Sequence, residues 1–113
     1  MKIIANGCYG GFGISEKALV WFREKMGQEA VGVSNLSLSM AIEYSISRNH
    51  PLLVECFEEM GSEEMSGRSA KLYMHEGPDE AYWIQEYDGS ESVRTMSDSP
   101  WQDPAKIKDF DFE

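Results

Sequence analysis

The 113-residue sequence predicts a single α+β domain, with two helices packed on one face of a small, mostly antiparallel sheet and a β-hairpin near the C-terminus. Two segments show helical periodicity, and several short segments have the composition of strands. Between two of these strands lies Asp88-Gly89, which is a strong hairpin signal. We place the domain at residues 1–96 and assign residues 97–113 to an acidic tail that we expect to be flexible.

Both predicted helices begin at recognisable capping residues. Ser15 suits the N-cap of a helix over residues 16–26, since its side chain can accept a hydrogen bond from the first turn. His50 precedes Pro51, and a residue before proline is disfavoured in the helical region. We therefore expect His50 to cap a second helix that starts at Pro51 and ends at Gly61.

Residues 36–47 alternate between larger apolar side chains and small or polar ones. Six alternations in a row predict a strand with one buried face, because a helix would scatter the apolar residues onto two opposite sides. The apolar members of this pattern are Leu36, Leu38, Met40, Ile42, Tyr44 and Ile46.

The remaining predicted strands are short. They cover residues 2–6 and 70–75, and residues 81–87 form the first arm of the hairpin. A type I′ turn at Asp88-Gly89 pairs Tyr87 with Ser90. The register then pairs Glu86 with Glu91, Ile84 with Val93, and Trp83 with Arg94, and we expect a cation–π contact in the last pair.

The net charge of −10 is concentrated in the C-terminal half. Residues 55–113 contain sixteen acids and five bases, whereas residues 1–54 are almost neutral. Nucleic-acid binding draws its affinity from Lys and Arg, so this field excludes direct binding to nucleic acid and favours a basic protein partner. The candidate partner-binding acids are Glu55, Glu58, Glu59, Glu63, Glu64, Glu86, Asp88 and Glu91.

A glycine-rich loop joins the first strand to the first helix. Backbone N–H groups at such a helix start can cradle a nucleotide or another small anion, but Glu16 at the same helix start would repel a phosphate, which favours a tight structural turn instead. The spacing of the glycines matches neither a dinucleotide fingerprint nor a P-loop. The candidate ligand-binding residues are Cys8, Tyr9, Gly10, Gly11, Phe12, Gly13, Ser15 and Arg48.

Chemistry-bearing residues are few. Cys8 is a candidate nucleophile near a helix start, but neither His50 nor His75 lies near it in sequence, so we assign no catalytic residue, metal or cofactor. Cys56 falls on the apolar side of the second helix and is interpreted as a core residue. Arg48 can pair with a hairpin carboxylate or reach the glycine-rich loop.

Three segments carry a family resemblance: CYGGFGIS at 8–15, RNHPLLVECFEEMG at 48–61 and WIQEYDGSESV at 83–93. Together they resemble small proteins of phages, prophages and bacterial genomes, with His50 as a departure at a position where an acid is expected. The resemblance implies a phage or mobile-element accessory protein that interacts with the host. We expect such a protein to inhibit a nucleic-acid-binding or defence protein of the host.

We therefore predict a non-enzymatic binding protein. The alternatives are a module that sequesters a nucleotide or anion at the loop, and a Cys8-dependent enzyme. The N-terminus lacks the features of a signal peptide and no apolar run could span a membrane, so a cytoplasmic location is expected. The oligomeric state stays open, since an exposed edge strand could pair across a two-fold axis.

Overall fold

The computed structural model describes residues 1–95, so the predicted tail at 97–113 lies outside the described residues. In chain order the elements are β1 (Lys2–Asn6), α1 (Glu16–Met26), a 3₁₀ turn (Gly27–Ala30), α2 (Asn35–Met40), a π-helical turn (Ala41–Ser45), α3 (Pro51–Met65), β2 (Leu72–Glu76), β3 (Tyr82–Tyr87) and β4 (Ser90–Thr95). The α+β class is confirmed, with antiparallel pairs β1–β2 and β3–β4.

The pair β1–β2 lies between the helices and the hairpin. Ile4 packs into the main core with buried side chains of all three helices, whereas Ile3 and Ala5 pack against Val93 of β4. Successive strand residues point to opposite faces, so β1 contributes to both apolar clusters. This arrangement explains why residues 3–5 are completely buried.

The capping predictions are confirmed. Ser15 Oγ accepts a hydrogen bond from Ala18 N–H, and His50 Nδ1 accepts one from Leu52 N–H. Gly61 interrupts α3 with a φ of 82°. One further helical turn follows, so α3 ends at Met65 rather than at the predicted Gly61. Glycine adopts this conformation without the steric cost that a side chain would add.

The strand predicted over residues 36–47 is wrong: this segment is α2 and the π-helical turn. Ser34 caps α2, accepting a hydrogen bond from Ser37 N–H. The helix does divide the apolar residues between two sides. Leu38 and Ile42 are buried, whereas the other side is exposed and carries Leu36, Met40 and Tyr44. The alternation therefore reflected two apolar helix faces rather than one strand face.

The hairpin has the predicted register. Tyr87 pairs with Ser90, and the pairing continues to Tyr82 opposite Thr95. Asp88 and Gly89 both have positive φ, at 53° and 93°, as a type I′ turn requires. The expected contact between Trp83 and Arg94 is not formed among the described residues, since Arg94 donates to Gln85 Oε1 at 2.8 Å instead.

Candidate functional site

Asn6, the last residue of β1, is the centre of a hydrogen-bond network beneath the glycine-rich loop. Its side chain is fully buried; the amide nitrogen donates to the carbonyl oxygens of Cys8 at 2.7 Å and Gly89 at 2.8 Å. Its Oδ1 accepts from Lys71 N–H at 2.8 Å. One side chain thereby joins the loop, the hairpin turn and the segment before β2.

A buried ion pair lies next to Asn6. Arg48 donates to both carboxylate oxygens of Glu91, with an Nη2–Oε2 distance of 2.9 Å, and Asn6 N–H donates to Glu91 Oε1 at the same distance. The Arg48 guanidinium also lies 3.7 Å from the ring centre of Phe12 in the loop. Arg48 thus makes both contacts that the sequence suggested, one to a hairpin carboxylate and one to the loop.

Tyr73 of β2 adds a further link. Its hydroxyl donates to the backbone carbonyl of Glu91 at 2.9 Å. Burial, with a smaller effect from the nearby Glu91 carboxylate, raises the pKa of Tyr73 above its ordinary value. The phenol therefore remains a protonated donor throughout the neutral and moderately alkaline range.

Two glycines permit close backbone packing at this place. A β-carbon on Gly10 would lie 1.6 Å from the carbonyl oxygen of Ser69, and one on Gly89 would lie 2.3 Å from that of Tyr9. No side chain fits at either position without a backbone shift. We call the assembly of Asn6, Arg48, Glu91, Gly10 and Gly89 the loop–turn junction.

The two ends of the glycine-rich loop are fixed by backbone bonds. Gly7 N–H donates to Lys71 O at 2.7 Å, and Ser15 N–H donates to Met65 O at 2.8 Å. Gly13 O accepts from Gly67 N–H at 3.0 Å. The N–H groups of Gly7 and Ser15 are therefore unavailable to a ligand, which counts against an anion cradle formed by the whole of residues 7–15.

An open cleft of about 760 Å³ lies where α1 begins and α3 ends. Lys17 and Arg68 give it positive charge, but three acids also line it: Glu16, Glu63 and Glu64. Lys17 is moreover engaged by Glu64 at 3.7 Å. The charge of the cleft lining is therefore net negative, which disfavours a phosphate there.

Both cysteine side chains make structural contacts. Cys8 Sγ donates to Ser69 O at 3.0 Å, a contact that helps to hold the loop. Cys56 is a core residue, as predicted; burial, with smaller effects from Glu59 and Glu55, raises the pKa of its thiol to about 12. Residues 1–95 contain no group of three or more His, Cys, Asp or Glu that could hold a metal ion.

The structure divides the candidate partner-binding acids into three groups. Glu91 is buried in the loop–turn junction and is not on an accessible face. Four acids of α3 are paired with lysines of neighbouring elements: Glu55 and Glu59 with Lys25, Glu58 with Lys2, and Glu64 with Lys17. Among residues 1–95, Glu63, Glu86 and Asp88 form no ion pair.

The ion pairs on α3 alter the character of that surface. The hydrogen bond to Glu58 raises the pKa of Lys2, and the hydrogen bond to Glu55 raises that of Lys25. Both lysines are charged at neutral pH, as lysine ordinarily is, and offset the adjacent carboxylates. The α3 surface is consequently less acidic than its sequence suggests, and a basic partner would compete there with lysines of this same chain.

Exposed aromatic side chains lie near the two hairpin acids, Glu86 and Asp88. Tyr87, next to Asp88, is 77% exposed, and Tyr9, whose backbone touches Gly89, is 69% exposed. Trp83, 45% exposed, lies on the same face of β3 as Tyr87, whereas Glu86 lies on the opposite face because successive strand residues alternate. Glu86, Asp88, Tyr9, Tyr87 and Trp83 together are called the hairpin surface below.

Sequence reasoning missed Asn6 and Ser69, which the loop–turn junction requires. An amide side chain at the end of an apolar strand, directly before a glycine, was the one available signal for Asn6. The close approach of Ser69 to Gly10 depends on tertiary packing and has no signal in the sequence.

No protein-family model matches this chain, and comparisons with curated proteins and with solved structures likewise found no match. In the part of the chain that the structure describes, none of the helices combines the length and apolar character needed to cross a bilayer.

Proposed function

We propose that this protein is a non-enzymatic binding protein that engages a basic protein through the hairpin surface. The observation that carries the proposal is that Glu86 and Asp88 form no ion pair within residues 1–95 and flank the strongly exposed Tyr87 in the chain. A Lys or Arg side chain can pair with a carboxylate while its charge or stem packs on an aromatic ring. Tyrosine is also enriched among residues that dominate binding energy at interfaces.

The loop–turn junction supports this proposal by holding the hairpin surface in one conformation. Tyr9 and Asp88 belong to separate segments of the chain, yet the backbone contact between Tyr9 and Gly89 fixes their relative position. A preorganised surface loses less conformational entropy when it binds. The glycine-rich loop thus has a structural role that serves recognition.

The resemblance to small phage proteins suggests where a natural partner is to be sought. Basic surfaces of host proteins that normally contact nucleic acid, including defence proteins, would match the acidic hairpin surface in charge. This step rests on the resemblance and on the net charge of −10.

The test uses a defined probe, a fluorescein-labelled peptide in which Lys alternates with Thr, followed by fluorescence anisotropy. We expect the affinity to fall steeply as the salt concentration rises from about 50 to about 500 mM, because exposed charges are screened. Replacing Glu86 with glutamine and Asp88 with asparagine, which also tolerates the positive φ of the turn, is expected to weaken binding by about tenfold or more.

The matched control is the Glu24→Gln, Glu29→Gln double variant. It changes the net charge equally, at exposed acids outside the candidate set. We expect a loss of less than about threefold there, since general attraction is weaker than pairing within the interface. Equal losses in the two double variants, or an affinity insensitive to salt, would contradict the proposal.

A further inference from the structure

We infer that the basic partner binds as an added β-strand along the free edge of β3; this inference rests on the proposed function and specifies its geometry. Within residues 1–95, β3 pairs with β4 on one side and with no strand on the other. An unpaired edge presents backbone donors and acceptors that an extended segment can complete.

The register identifies the groups at this edge. The two-residue turn makes Tyr87 and Ser90 a hydrogen-bonded pair, and hydrogen-bonded pairs alternate with non-bonded ones along the hairpin. Tyr87, Gln85 and Trp83 therefore direct their backbone groups towards β4. Ile84 and Glu86 direct theirs away from β4, and no backbone bond between elements uses them.

Within residues 1–95, the edge lacks the usual protection against pairing. Natural edge strands are shielded by Lys, Pro, bulges or short length, whereas β3 has six residues in regular register and contains neither Lys nor Pro. Its one charged residue is Glu86. The aromatic residues Tyr82, Trp83 and Tyr87 give it high strand propensity.

Charge selects a basic strand as the occupant rather than a second copy of this chain. Two copies pairing edge to edge would bring together hairpins that each carry Glu86 and Asp88, in chains of net charge −10. Like charges facing each other across paired strands are destabilising. A strand with Lys or Arg at alternate positions, docked so that these side chains lie on the face of Glu86, instead places cations beside that carboxylate.

Two substitutions at one position test this geometry. Glu86→Gln removes the charge, and Glu86→Pro removes the charge together with the N–H that faces the free edge. Proline at such a position leaves the bonds to β4 intact. We expect Glu86→Pro to bind the Lys-Thr peptide about tenfold more weakly than Glu86→Gln does, through loss of the added-strand hydrogen bonds.

Equal binding by the two variants, with near-native thermal unfolding of both, would overturn the added strand. The proposed function would survive that result if the Glu86→Gln, Asp88→Asn variant still lost its affinity. Concentration-dependent dimerisation of the free protein that the Lys-Thr peptide does not compete with would assign the edge to a second copy and also overturn the inference.

If Glu86→Pro fails to fold, amide hydrogen exchange of the wild-type protein gives an independent answer. Adding the Lys-Thr peptide should slow exchange at Glu86, whose N–H faces the free edge, while Gln85 stays protected by β4 throughout. Unchanged exchange at Glu86 under saturating peptide would overturn the inference.

Discussion

Replacing Glu91 with alanine is expected to lower the free energy of unfolding by about 3–5 kcal/mol, because it leaves the Arg48 guanidinium buried without its counter-ion. Asn6 N–H would lose its acceptor in the same step. Both side chains of the pair are largely buried, at 16% exposure for Arg48 and 7% for Glu91, so solvent cannot replace the lost contacts fully. Urea denaturation followed by far-UV circular dichroism measures the change.

Glu86→Ala is the matched control for Glu91→Ala. The two acids face each other across β3 and β4, but Glu86 is exposed and has no ion-pair partner among residues 1–95. Removing it should change the unfolding free energy by less than about 0.5 kcal/mol. A Glu91→Ala variant no less stable than Glu86→Ala would show that the buried pair is not formed.

Gly10→Ala is expected to destabilise the protein by about 3 kcal/mol, through overpacking against a backbone that has little freedom to move. The new methyl group would clash with the backbone carbonyl of Ser69. The segment that contains Ser69 is held in place nearby, because Gly67 N–H donates to Gly13 O. Relief of the clash requires the loop to move away from the segment before β2. The same movement would disturb the Cys8 contact with Ser69.

Gly11→Ala separates this clash from ordinary loop strain. Gly11 has a φ of 90°, but apart from Gly11 and its two chain neighbours no atom lies within 4 Å of the position that its β-carbon would occupy. Alanine there should cost only the strain of a positive φ, about 1 kcal/mol. If thermal or urea unfolding shows Gly11→Ala to be as harmful as Gly10→Ala, close packing is not the reason for the glycine-rich sequence.

The elements with strong local signals were predictable. Ser15 and His50 have side chains that cap helices, and Asp88-Gly89 adopts the backbone angles that few other residue pairs tolerate. Each of these depends on contacts between near neighbours in sequence. Once the turn was known, the hairpin register followed from simple counting.

The segment at residues 36–47 was not predictable from its period alone. The same alternation of apolar residues is compatible with a strand that has one buried face and with a helix that has one buried and one exposed apolar side. The choice between them depends on what covers the second side, and Leu36, Met40 and Tyr44 remain exposed here. Burial in the folded domain, rather than local sequence, distinguishes the two structures.

The candidate site was predictable only in part. Arg48 was expected to reach a hairpin carboxylate or the loop, and it reaches both. Glu91 was grouped with the accessible acids, because nothing in the sequence separates it from Glu86. Its burial follows from the packing of β4 beside β1, where it accepts from Asn6 N–H at the strand edge.

The glycine-rich loop is a structural element joined to the hairpin. Amide hydrogen exchange at Asn6 and Lys71 tests this role most directly. Both N–H groups donate to side-chain oxygens of the network, Glu91 Oε1 and Asn6 Oδ1. Residue-resolved hydrogen exchange should show them opening at free energies within about 1 kcal/mol of the β1–β2 ladder amides. Exchange of both amides at unprotected rates, while that ladder remains protected, would contradict the loop–turn junction.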